Sequence, residues 1–271
     1  MKRMQLVELE DLPWFPAVLR DGGTAYLELA ARVSGHGALL VPPLADAILA
    51  TGATRVIDLC SGGGGPARIV ADALADRGLP VDVLLTDLYP NPRAFAHAAE
   101  GARGRIAGRS TPVDATDVPA ELTGFRTIFN AFHHFPPARA RAVLADAVAK
   151  RQPIGVFELV SREPAMLAGL LTAPLGVTFT VPFWRPFRWS WLLWTWLIPL
   201  MQPFVLWDGI VSWLRIYSVD ELRALVADLD APDWTWEIGQ IKLGSAPLHA
   251  TYLIGRPTGA RPAPVEGAGP A

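Results

Sequence analysis

The feature that most constrains this chain is the run Val56-Ile57-Asp58-Leu59-Cys60-Ser61 followed by four consecutive glycines, Gly62 to Gly65. A short, mostly apolar run that ends in glycine reads as a buried parallel strand. Helical spacing continues from Ala67 to Arg77, where Gly78 and Pro80 stop it. Glycines let a backbone turn sharply and approach a ligand with no Cβ in the way. The helix after the turn offers free N–H groups at its start. On this pattern alone the turn is either a ligand cradle or only a tight strand-to-helix connection.

Beyond the turn the chain alternates between β and α patterns. Val81–Asp87, Ile106–Val113, Phe125–Phe129 and Ile154–Val160 read as further strands. Asn91–Glu100 and Pro136–Lys150 read as helices between them, and Pro92 sits early enough in its helix to do no harm. Ser218 with Glu221 makes a capping box for a last helix reaching about Leu229. Trp234–Leu243 and Ala250–Gly255, joined through Gly244 to Pro247, read as an antiparallel hairpin. Alternation of this kind implies an α/β fold, a parallel sheet with helices on both faces, with ligands at the carboxyl ends of the strands. In 271 residues, one α/β domain with arms is accommodated without a second domain. Residues 1–50 read as a helical arm with breaks at Pro13, Pro16, Gly22-Gly23, Gly35 and Pro42-Pro43. Residues 51–257 read as the domain, and 258–271, rich in Pro, Gly and Ala, as a disordered tail.

The acids downstream of the turn narrow its chemistry. Asp87 ends the second strand, where a carboxylate can accept hydrogen bonds from both hydroxyls of a ribose; as a structural residue it caps the helix after Pro90. Asp114 stands just past the third strand, beside Ala115, and otherwise reads as a solvated loop acid. Asn130 ends the fourth strand and leads into Ala131-Phe132-His133-His134-Phe135.

In that order, Asp58-x-Cys60-x-Gly62-x-Gly64, Asp87, Val113-Asp114-Ala115 and Asn130 to Phe135, the sequence resembles the class I S-adenosylmethionine (SAM)-dependent methyltransferases over about residues 50–160. The resemblance implies a Rossmann-like seven-stranded sheet of order 3-2-1-4-5-7-6 with strand 7 antiparallel. It implies SAM as cofactor and S-adenosylhomocysteine (SAH) as product. It places the methionine moiety on Asp58 and the turn Cys60, Ser61, Gly62 and Gly64, with Asp58 near the amino group. Asp87 takes the ribose hydroxyls, Leu88 covers the adenine, Asp114 and Ala115 meet the adenine amino group, and Asn130 lines the sulfonium side. The chain departs from the family at Cys60, where glycine is usual; cysteine is small, and the turn is expected to survive it. A rival reading is a nicotinamide dinucleotide site of an NAD(P)-dependent oxidoreductase, for which Gly62, Gly64 and Ala67 fit only the looser fingerprint.

His133 and His134 come after the fourth strand and so face the reaction side; either suits proton removal from an O–H or N–H acceptor near neutral pH, or one of them caps a helix or packs. Similar pairs occur in many members, the ubiquinone/menaquinone C-methyltransferases among them, so the pair does not name an acceptor. Glu158, near the end of the fifth strand, orients a histidine or a substrate group, or pairs with Arg162. Tyr26 either closes over the cofactor or packs, and packing is the simpler expectation. The linear spacing of the five histidines supports no metal site.

Residues 161–216 interrupt the alternation. Seven of the ten tryptophans lie from Trp184 to Trp213, and the 19 residues Trp189 to Trp207 carry no charge. Pro199 and Pro203 break any single helix there, and the chain must return to its sheet, which excludes a single crossing. Three roles compete for 184–213: a lid over an apolar pocket, a monotopic membrane contact, or a homodimer interface. The net charge of −2 gives no basic footprint for nucleic acid, and the acids at Glu8, Glu10 and Asp11 interrupt any secretory signal. The reading is therefore a cytoplasmic or inner-face peripheral methyltransferase acting on a hydrophobic, lipid-like acceptor at oxygen, or at carbon on a quinone- or polyketide-like one.

Overall fold

This computed structural model describes residues 2–102, 105–229, 231–244 and 247–259. Its seven strands are β1 Arg55–Asp58, β2 Asp82–Leu85, β3 Ile106–Gly108, β4 Phe125–Phe129, β5 Ile154–Glu158, β6 Trp234–Lys242 and β7 His249–Pro257. They form one sheet of order β3-β2-β1-β4-β5-β7-β6. β1 to β5 run parallel, and β7 enters antiparallel between β5 and β6. The order is the one the resemblance implies. The α-helices are α1 Ala17–Ser34, α2 Val41–Thr51, α3 Gly65–Ala75, α4 Pro92–Ala99, α5 Pro137–Ala149, α6 Pro164–Leu170, α7 Ala173–Thr180, α8 Trp189–Leu192, α9 Met201–Arg215 and α10 Val219–Ala227.

Because side chains alternate across a strand, neighbouring apolar residues feed two separate cores. Val56, Val83, Phe125, Phe129 and Phe157 pack under α2, α3 and α4. Ile57, Ile128, Val156 and Leu253 pack under α5 and α10. The central strands are buried on both faces, hence their nearly continuous apolar sequence. Arg126 of β4, 1% exposed, pairs in this interior with Asp146 of α5 at 2.7 Å. The capping box at Ser218 and Glu221 forms as expected. The boundary at residue 50 does not match the packing, since α2 belongs to the sheet layer rather than to an arm.

A third core joins α1 to the segment that interrupts the alternation. Phe15, Leu19 and Ala25 pack with Val177, Val181, Trp184, Trp191, Met201 and Phe204. The expected break at Gly22-Gly23 is absent, and α1 runs straight through it. A Cβ at Gly22 falls 2.4 Å from Met201 Cε, and one at Gly23 falls 2.9 Å from Phe204 Cε1. The two glycines let α9 approach α1 and do not end the helix. The expected break at the prolines does occur: Trp189–Leu197 and Met201–Arg215 meet at 88°, and Pro203 sits harmlessly in the first turn of α9.

The cap carries two apolar faces. On α7 and its 3-10 extension Val181–Phe183, Ala173, Val177 and Val181 are buried, while Leu171, Leu175, Phe179 and Phe183 form a second stripe that is exposed. Trp189, Trp196 and Leu197 are exposed beside it. Pro164–Phe183 spans 20 residues with mean hydropathy 1.6, long and apolar enough to cross a membrane by length and composition. The tail from residue 260 onward lies outside the described residues.

Candidate active site

The glycine turn links β1 to α3 at the carboxyl edge of the sheet. Cys60 (φ 56°), Gly62 (φ 52°) and Gly64 (φ 75°) all take left-handed backbone, which explains why glycine is the ordinary residue at position 60. Burial pushes the Cys60 thiol well above its usual range, with the charges of Asp87 and Asp58 adding to the effect. Such a thiol stays protonated and packs. The Ser61 side chain is consumed within the turn: its Oγ donates to the Asp58 carbonyl at 2.9 Å and accepts from Thr86 N at 3.1 Å.

Asp58 is buried at the end of β1, where its Oδ1 accepts from Thr127 Oγ1 of β4 at 2.7 Å. Burial raises its pKa to about 7, against the hydrogen bonds of Ser61 and Thr127. A carboxyl so poised ionises readily when a cation is brought beside it. Asp87, one strand over, accepts from Gly62 N at 2.9 Å through Oδ2 and from Tyr89 N at 2.9 Å through Oδ1. The helix cap is instead Asn91, whose side chain accepts from Ala94 N at 3.2 Å. Asp87 therefore ties the β2 loop to the glycine turn, and Leu88 comes next, partly exposed.

Asp114 and Asn130 both have partners within the protein. Asp114 Oδ1 accepts from Thr116 N and Oγ1 at 2.8 and 2.7 Å, and Arg139 lies 3.3 Å from Oδ2. Burial pushes its carboxyl up, but the Thr116 hydrogen bonds and Arg139 together outweigh it and hold it below the usual range. Ala115 is buried in the core beside Val113 and Val118, so only its backbone can meet a ligand. Asn130 sits at φ 51° and its Oδ1 accepts from Leu159 N at 2.7 Å, which locks the ends of β4 and β5 together. Tyr26 packs on Trp184, with ring centroids 5.9 Å apart. Over the glycine turn, α1 instead places Thr24 and Glu28, which a Cβ at Gly63 or Gly65 would touch at 3.0 and 2.9 Å.

The histidines occupy the 3-10 turn Phe132–His134 just past β4. Glu158, at the end of β5, accepts from His133 N at 2.9 Å, and its Oε2 lies 2.9 Å from His133 Nδ1. Arg162 pairs with Glu221. His134 Nδ1 lies 3.0 Å from Asp11 Oδ1, and the two imidazoles stack with centroids 4.4 Å apart. Burial opposes the charge on His134, but the Asp11 hydrogen bond and the carboxylates Glu8, Asp11 and Glu10 overcome it and raise its pKa to about 9. The surrounding carboxylates thus favour the charged form of His134.

Linear reading missed the cover over this pair. Residues 3–11 cross the histidines: Arg3 donates to the carbonyls of His133 and Phe135 at 2.9 and 3.2 Å, and its guanidinium stacks on Tyr217 at 4.1 Å. Glu8, 1% exposed, faces both imidazoles and pairs with Arg215 at 2.9 Å. The acids Glu8, Glu10 and Asp11 are visible in the sequence as an acidic interruption, but nothing local links them to His133, 125 residues further along.

No family model and no curated protein matches this chain. Among solved structures it is similar to the plantazolicin methyltransferase BpumL in complex with SAH, at 10% identity and TM-score 0.51, covering 89% of this chain and 88% of that one. It is also similar to the mitomycin 7-O-methyltransferase MmcR at 16% identity and TM-score 0.48, covering 83% of this chain and spanning about half (54%) of that one. A third is the O-methyltransferase NcsB1 from neocarzinostatin biosynthesis, in complex with SAM and 2-hydroxy-5-methyl naphthoic acid, at 14% identity and TM-score 0.46, with 88% and 60% coverage. The likeness to BpumL and the strand order show the methyltransferase Rossmann-like fold.

Proposed function

We propose that this chain transfers a methyl group from SAM to an oxygen of an apolar small molecule or lipid-like acceptor, releasing SAH. The observation that carries the reading is the pairing of strand order with acid placement. β7 enters antiparallel between β5 and β6, whereas the usual dinucleotide-binding order is 3-2-1-4-5-6. On that frame Asp87 lies within hydrogen-bond reach of the glycine turn at Gly62. This weighs against the nicotinamide reading. SAM supplies a methyl group on a cationic sulfur, which leaves the protein to orient two partners and remove one proton.

In this reading Asp58 faces the ammonium of the methionine moiety and Asp87 the ribose hydroxyls. The turn from Cys60 to Gly64, Leu88 and Ala115 line the remainder, with Asp114 and Asn130 shaping the loops around them. His133, with its Nδ1 held by Glu158, is the proton acceptor, and Glu158 is its positioning residue. His134 supplies a fixed positive charge beside the acceptor oxygen. The apolar, Trp-rich make-up of residues 161–216, packed on the same helix α1 that covers the glycine turn, supports an apolar acceptor.

The exposed stripe of Leu171, Leu175, Phe179 and Phe183, with Trp189, Trp196 and Leu197, supports peripheral contact with a membrane surface, extending the contact beyond 184–213. Its opposite face, Ala173, Val177 and Val181, is committed to the cap core. With one face committed to the protein, the helix can lie in the interface with its free apolar face in the membrane.

The test is transfer of a labelled methyl group from SAM into the organic-extractable fraction of a lipid and metabolite extract. At sub-saturating SAM, Asp87→Ala is expected to reduce transfer about 10- to 100-fold, and His133→Ala to reduce it by about 10²–10⁴-fold. Full activity of His133→Ala refutes the histidine-base assignment. Absence of transfer to any acceptor by an enzyme that binds SAM refutes the catalytic one.

A further inference from the structure

We propose that Glu8, His133 and His134 form a binding site for a divalent transition-metal ion of the zinc, iron(II) or manganese class. One oxygen of Glu8 and one nitrogen of each histidine lie within 4.8 Å of one another. His133 Nε2 is 3.7 Å from Glu8 Oε1, and His134 Nε2 is 3.5 Å from Glu8 Oε2. Ligand atoms about 2.0–2.2 Å from a common ion in tetrahedral geometry stand roughly 3.3–3.6 Å apart. The two histidine–carboxylate spacings, one to each oxygen of Glu8, are near that value.

Three further observations point to a ligand. His133 Nε2 is a buried nitrogen with no hydrogen-bond partner, on a side chain 4% exposed. A buried polar atom of this kind calls for an explanation, and an unplaced ion is one. Each imidazole has its far nitrogen held by a carboxylate, His133 Nδ1 by Glu158 and His134 Nδ1 by Asp11. That is how metal-bound histidines are oriented, with the free Nε2 presented to the ion. Glu8 is anchored in the same manner: its Oε1 accepts from Ser212 Oγ at 3.0 Å and pairs with Arg215. Oε2 is left to face His134.

Charge agrees. Around the cluster stand the carboxylates of Glu8, Glu10, Asp11, Glu158 and Asp208 against the guanidinium groups of Arg3 and Arg215. Even with His134 charged, these carboxylates outnumber the cations, and a divalent ion bound there takes the place of the His134 proton, which passes to solvent. Two histidines and one carboxylate leave coordination positions open, the pattern of ions that also take up water or substrate oxygen. With the ion bound, Nε2 of His133 is a ligand.

The site does not depend on the methyltransferase reading, and its test uses neither cofactor nor acceptor. Full-length protein, stripped with a chelator and dialysed, is titrated with Co²⁺ and followed by visible absorption and calorimetry. One equivalent is expected to bind, with d–d bands of nitrogen coordination. Glu8→Gln and His134→Ala are each expected to weaken binding at least about 100-fold, and Glu158→Gln about 10- to 100-fold. The double variant His97→Ala/His249→Ala, which removes the other two histidines that have a carboxylate neighbour, is expected to bind as the parent does. Circular dichroism and thermal melting establish that each variant folds. His134 is partly exposed, so its variant remains readable if Glu8→Gln does not fold. Co²⁺ binding no tighter than to His134→Ala, or binding lost with His97 and His249, overturns the site and leaves the cluster as an ion-pair network.

Discussion

The glycine turn makes a quantitative demand that separates strain from contact. Gly62 and Gly64 both have positive φ, yet only one is crowded. A Cβ at Gly64 falls 2.7 Å from Leu85 Cδ1 and 3.0 Å from Ala98 Cβ, whereas one at Gly62 meets nothing within 4 Å. Gly62→Ala therefore costs only the left-handed backbone penalty, about 1–2 kcal/mol, offset by about 0.4–1 kcal/mol from the stiffer unfolded chain. Gly64→Ala bears the same backbone cost plus about 1–3 kcal/mol of overpacking against β2 and α4. The expected losses are roughly 1 kcal/mol for Gly62→Ala and about 2–4 kcal/mol for Gly64→Ala, from a total near 5–15 kcal/mol. In a chain of this size each kcal/mol lowers Tm by about 2–4 °C. Urea melts followed by circular dichroism read both variants, with m unchanged. Equal losses, or a larger loss in Gly62→Ala, refute the assignment of Leu85 and Ala98 as the walls that select glycine at position 64.

The same geometry sets other outcomes. Asp58 has its folded pKa raised to about 7 by burial, above the ordinary unfolded value near 3.9. Its contribution to stability is thus complete below pH 4 and is lost as pH rises to 7; urea melts at pH 5 and pH 8 are expected to show a drop that Asp58→Asn flattens. Asp146→Ala strands Arg126 in the interior without its partner and is expected to cost about 3–5 kcal/mol, and a loss below about 1 kcal/mol contradicts the pairing. Replacing Phe179, Trp189 and Trp196 with serine is expected to leave Tm nearly unchanged while reducing flotation with anionic liposomes, and undiminished flotation removes the membrane contact.

The sheet was legible because its signals are local. The apolar run of β4 and the helix stops at Gly78 and Pro80 act over a few residues, and the resemblance supplied the strand order. The positions of Asp58, Gly62, Gly64 and Asp87, at the end of β1, in the turn after it and just past β2, were legible for the same reason. The features that escaped are tertiary. Gly22-Gly23 looks like a helix break until α9 is seen to need the space. Asp114 is legible as an acid past the third strand, but its partners Thr116 and Arg139 are not. Glu8 is an unremarkable acid near the start of the chain until the arm carries it onto His133 and His134. The Trp-rich segment is too apolar on every side for a periodic pattern to tell its inner face from its outer one.

Calorimetric titration with SAH, run beside NADH, tests most directly whether the turn and Asp87 hold the adenosyl group of SAM. We predict one saturable SAH site, no NADH binding, and about 10- to 100-fold weaker SAH binding in Asp87→Ala, the worth of the charge-assisted hydrogen bonds to the ribose. Binding of NADH without SAH, or SAH binding indifferent to Asp87, contradicts it.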